Sequence, residues 1–141
     1  MKNRIFSTLF MLTVITVKAL SQQISEKEIV GKWMVVKVNL TDTNIPKDQK
    51  EMIELLKDAF LKSSFSFKED KSISFDFEIE GMQISKGHWK FNPSNNTLVI
   101  QEWKDRNTND FILMEISIRK EGEKILFSVA ETFLELEMKK M

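Results

Sequence analysis

His88 is the single histidine of this 141-residue chain, so any chemistry that needs an imidazole must use it. One histidine can bind haem iron or a metal only with further ligands at a suitable spacing, and the flanking Gly87 and Trp89 supply none. A Ser/His/acid triad would need the same histidine and a nucleophile elbow, and no Gly-x-Ser-x-Gly occurs. Carboxylates pair at Asp76 and Glu78, and again at Glu135 and Glu137. A spacing of two sets each pair on one face of a strand, beside serine or lysine neighbours, which is the pattern of a solvated outer wall. Cysteine is absent. The expectation is a protein without catalytic residues, metal or cofactor.

The aromatic residues suggest binding instead. Phe65, Phe67, Phe75 and Phe77 share the inward parity of neighbouring strands, and Phe127 joins them from later in the chain. Met82, Met114 and Met138 add flexible, polarizable side chains to the same interior. Phe65, Phe67, Phe75, Phe77, Met114 and Phe127 are therefore the residues expected to line a ligand space. A packed core without a cavity explains the same pattern.

These side chains sit on a chain of short alternating segments. Residues 29–40 are rich in β-branched side chains and read as a long first strand. Its parity is ambiguous: Trp33 and Val35 lie on one face, and Met34, Val36, Val38 and Leu40 on the other. A strand apolar on both faces is normally covered on both. The cover is supplied by a helix expected over about 47–62, where Met52, Leu55, Leu56, Ala59 and Phe60 form an i, i+3, i+4, i+7, i+8 stripe. Ile73, Phe75, Phe77 and Ile79 then alternate with polar residues. The next strand starts with Met82 and Ile84 in phase, but Trp89 and Phe91 fall out of phase, and Gly87 between them predicts a bulge. Asn92-Pro93-Ser94-Asn95-Asn96 is a turn. Strands over 97–104, 111–119, 125–129 and 134–138 complete the set, with Ile112, Met114, Ile116 and Ile118 facing inward.

Eight strands with one apolar face each bury it, and lose both sheet edges, by closing into an up-and-down barrel. A two-sheet sandwich is the rival. The fold expected is an all-β, eight-stranded antiparallel barrel with one helix between the first and second strands.

Ahead of it, residues 1–21 read as a secretory signal: Lys2 and Arg4, an apolar run from Ile5 to Val17, and Ala19-Leu20-Ser21 before the cleavage point. The run is too short for a spanning helix, so no membrane anchor is expected after cleavage. The domain is then 22–141, in the periplasm or outside the cell. Removing the leader takes out Lys2, Arg4 and Lys18, leaving 18 basic against 21 acidic side chains, net −3. That balance argues against a nucleic-acid partner. Without disulfides the domain is held by its core alone.

Gly31-x-Trp33 at the head of the first strand, with Gly87-x-Trp89 further on, resembles the small secreted lipocalin-like domains of bacteria, within the lipocalin and fatty-acid-binding superfamily. The resemblance covers about 29–138. It departs from the family at the seventh-strand turn, which here reads Lys120-Glu121-Gly122-Glu123, and in lacking a helix after the last strand. It implies that a basic residue, Lys140 here, closes the barrel floor beside Trp33. It also implies a carrier for a small hydrophobic ligand; a protein-binding module with a filled interior is the alternative, and an enzyme the third. The ligand, protein partners and oligomeric state stay open.

Overall fold

The computed structural model describes residues 23–42 and 44–141; the leader and its cleavage point lie outside the described residues. A one-turn helix α1 (Glu26–Ile29) precedes β1 (Gly31–Leu40). A 3-10 turn (Lys47–Gln49) leads into α2 (Lys50–Leu61). The rest of the sheet is β2 (Ser64–Phe67), β3 (Ser72–Asp76), β4 (Ile84–Asn92), β5 (Thr97–Glu102), β6 (Ile112–Glu121), β7 (Lys124–Val129) and β8 (Leu134–Lys140). Each strand pairs antiparallel with the next and β8 returns to β1, which closes the barrel in the expected order.

The ambiguous parity of β1 has a local answer. Its register against β8 runs Trp33 to Lys140 and Val35 to Met138, then shifts so that Lys37 faces Glu137 and Val38 faces Leu136. A bulge at Val36 thus puts Trp33, Val35 and Val38 all inside. Met34, Val36 and Leu40 stay exposed, so β1 is not covered on both faces as expected.

The bulge expected near Gly87 is present. Ile73 faces Gly87, but two residues further along β3 Phe75 faces Ile84, three residues back along β4. The strand run does not start at Met82, however. β3 ends at Asp76 and β4 begins at Ile84, and Met82 lies in the exposed turn between them rather than in the interior. Phe77 and Ile79 also fall outside the strand, though Phe77 stays buried by stacking on Phe75 at 4.8 Å and meeting Phe60 at 4.8 Å. β5 stops at Glu102, where a 3-10 turn carries Trp103 and Lys104. Ile112 is exposed, so the inward series of β6 is only Ile116 and Ile118, with Met114 half-buried.

The helix also turns a different face from the one its stripe predicts. α2 buries Ile53, Ala59 and Phe60 and half-buries Leu56, while Met52 and Leu55 remain 58% and 54% exposed. Phe60 fixes this rotation, because its ring is lodged against Phe75 and Phe77 at one end of the barrel.

Candidate functional site

The phenylalanines expected to line a ligand space are brought together, and they touch one another. Phe65 stacks on Phe75 at 4.5 Å and meets Phe127 edge-on at 5.9 Å. Phe67 reaches both Phe127 and Trp89, at 6.4 and 5.6 Å, and Trp33 closes on Phe127 at 5.8 Å. All of these rings are buried, as are Leu98, Ile100, Ile116 and Leu136 between them. Ring pairs at 4.5–7 Å in tilted and edge-on arrangements are the packing of a filled interior. Met114 stands apart at the α2 end of the barrel, beside Leu56 and Phe60.

Space opens where this core reaches the end of the barrel at the start of β1. A cleft of about 260 Å³ is floored by Ile24, Ile29, Trp33, Ile118, Ile125 and Phe127. Its rim carries Glu28, Lys120, Glu123 and Lys140. One wall is the segment 24–29, which contains α1: Ile24 and Ile29 are both buried and line the cleft. The sequence over 22–28 reads as a polar lead-in, and only Ile24 within it and Ile29 just after it signal otherwise.

The Gly31-x-Trp33 motif builds the closed corner of this cleft. The indole Nε1 of Trp33 donates to the carbonyl of Ile29 at 2.8 Å, which holds α1 to the strand. Lys140 lies opposite Trp33 in the ladder, with its ammonium 5.5 Å from the ring centre and donating to the Glu28 carbonyl at 2.9 Å. Lys140 thus lies beside Trp33 at this end of the barrel. Gly31 has φ +135°, so the backbone favours glycine, and a Cβ there would stand 2.6 Å from Lys140 Cε and push that side chain aside. Lys120 leans on the Glu28 carboxylate at 3.8 Å.

The second motif repeats the arrangement on the barrel wall. Trp89 Nε1 donates to the Lys68 carbonyl at 3.1 Å, and the Lys71 ammonium lies 4.3 Å from the ring centre. Lys71 also pairs with Glu26, and burial lowers its pKa below the ordinary lysine value. Gly87 is again obligatory by space: a Cβ would lie 2.8 Å from Ile84 Cγ2, 2.9 Å from Ile73 Cγ2 and 3.0 Å from the Gln101 carbonyl.

His88, next to it, is outward and half-buried, with its ring edge-on to Trp103 at 5.6 Å. Desolvation lowers its pKa, and Lys90, Arg106 and Lys71 lower it further, so the ring is neutral near pH 7. Its buried Nδ1 has no protein partner. Among the described residues no three His, Asp or Glu side chains gather as metal ligands. Glu135 and Glu137 are held on the outer wall by Arg119 and Lys124.

Comparison with protein-family models, with curated proteins and with solved structures gives no match to this chain.

Proposed function

We propose that this protein is a lipocalin-like binding protein that takes a small apolar molecule at the mouth of its barrel. The observation that carries the reading is the cleft at the β1 end, where an apolar floor of Trp33, Ile118, Ile125 and Phe127 opens beneath a charged rim. At about 260 Å³ it lies below the ~300–1,000 Å³ of drug-sized pockets, which limits the ligand to a small one. Two lysines face two glutamates on the rim, so the apolar floor selects the ligand and charge does not. Delivery to the periplasm or the medium by the leader belongs to the same proposal.

A neutral solvatochromic dye should bind the folded protein with one-to-one stoichiometry, saturate, and change the emission of Trp33. Ile125→Lys sets a charge in the half-buried floor and should abolish binding. Met114→Lys, at the opposite end, should leave it intact. A folded wild-type protein that binds no dye at micromolar concentration overturns the carrier reading and leaves the protein-binding module.

A further inference from the structure

At the end of the barrel remote from that cleft, the apolar stripe of α2 runs past the surface it covers. Phe60 and Leu56 reach the barrel, but Met52, one turn N-terminal to Leu56 on the same helix row, and Leu55 do not. The strand opposite shows the same excess. Ile112 and Leu113 are consecutive in β6 and both about half exposed (48% and 49%), so the alternation that drives one side chain inward has lapsed there. Phe111 before them is 72% exposed and holds φ +59°, a left-handed conformation that a bulky residue rarely adopts. Between helix and strand runs a groove of about 360 Å³, walled by Leu56, Phe60, Met82, Ile112, Leu113 and Met114.

Two further features separate this groove from a merely greasy surface. The turn that closes it, 130–133, holds Glu131 at φ +67° and Phe133 at φ +60°, so strained backbone is concentrated at its margin. The only charged residues lining it are Glu115 and Glu131, and neither has an ion-pair partner among the described residues. Glu51 and Glu54 add exposed carboxylates along α2. Methionines at Met52, Met82 and Met114 give the surface side chains that re-pack around a partner at little cost.

We infer that this groove docks an amphipathic segment of a partner protein, with apolar anchors between Leu113 and Leu56 and flanking lysine or arginine set against Glu115 and Glu131. The apolar walls supply the affinity and the two carboxylates the orientation. This site shares no residue with the mouth cleft, so it stands whether or not a small molecule binds there.

The test uses synthetic amphipathic helices of leucine and lysine, and of leucine and glutamate, titrated into the purified full chain. The lysine peptide should bind one-to-one and weaken as salt rises; the glutamate peptide should bind at least tenfold more weakly. Leu113→Asp and Glu131→Lys, both at exposed positions, should each weaken the lysine peptide at least tenfold, whereas Glu69→Lys, in the β2–β3 turn, should not. Equal binding of both peptides, or equal loss with Glu69→Lys, overturns the proposal by reducing the effect to greasiness or to net charge. Self-association that Leu113→Asp abolishes, with no peptide binding, overturns it in favour of a second copy of the chain.

Discussion

Two glycines set the tolerance of the two Gly-x-Trp corners, for different reasons. At Gly31 the atom in the way is the end of a flexible lysine, so the cost of Gly31→Ala comes from the φ of +135° and from displacing Lys140 off the Glu28 carbonyl. Strain of that kind costs about 1–3 kcal/mol. At Gly87 the obstruction is two branched side chains and the backbone of β5, so Gly87→Ala should cost about 1–3 kcal/mol through overpacking and a shifted bulge. Urea midpoints read both losses; the first should also weaken dye binding at the mouth, and the second should not. His88 makes stability depend on pH. Its folded pKa lies below the ordinary 6.5, chiefly from desolvation and then from Lys90, Arg106 and Lys71. As pH falls through that value the unfolded chain takes up the proton first, so stability present above about pH 6.5 is lost towards the lower, folded-state pKa. The single imidazole resonance should titrate below 6.5, and His88→Gln should flatten the fall in urea midpoint as pH drops through and below about 6.5.

At the scale of elements, α2 shows how far a periodic pattern reaches. Its stripe predicts a helix, and the helix is there, but a stripe five residues wide does not say which of its edges meets the core. Phe60 decides that through Phe75 and Phe77, contacts between residues distant in the chain. Phe60→Ala should therefore cost about 3–5 kcal/mol, as for other buried aromatics. Met52→Ala, at a position 58% exposed, should stay within about 0.5 kcal/mol. Thermal melts of the two variants measure the contrast, and comparable losses would mean that the stripe is buried as its periodicity alone suggests. β1 teaches the same lesson for strands. Its two apolar faces are legible in the residues, but the bulge at Val36 is a property of pairing with β8, one hundred residues away. Gly87 was readable because a bulge there is written into one strand, as a glycine between two pairs of opposite phase.

For the molecule as a whole, closure was legible because it follows from counting: eight half-apolar strands with short connections leave few other ways to bury one face each. The Lys140–Trp33 corner was likewise readable, since antiparallel closure alone sets the end of the chain beside its first strand. The mouth cleft was not, because the segment 24–29 buries Ile24 and Ile29 from a stretch that carries no periodic signal. Closure also has a mechanical consequence. β1 pairs with β2 over only Gly31–Met34, four residues, but with β8 along seven positions from Trp33 to Leu40. The first strand is thus held chiefly by the last, and with it α1, through the Ile29 and Glu28 carbonyls. Contacts of such sequence separation make folding slow. Ending the chain after Ala130 removes Leu134, Leu136 and Met138 from the core and leaves β1 its short pairing with β2. That chain should lose its cooperative thermal transition entirely, while a chain ending at Lys139 should keep it, with a lower midpoint from the lost Lys140 contact. A sharp melt in the shorter chain would show that seven strands suffice and that the β1–β8 seam is not what makes the barrel one cooperative unit.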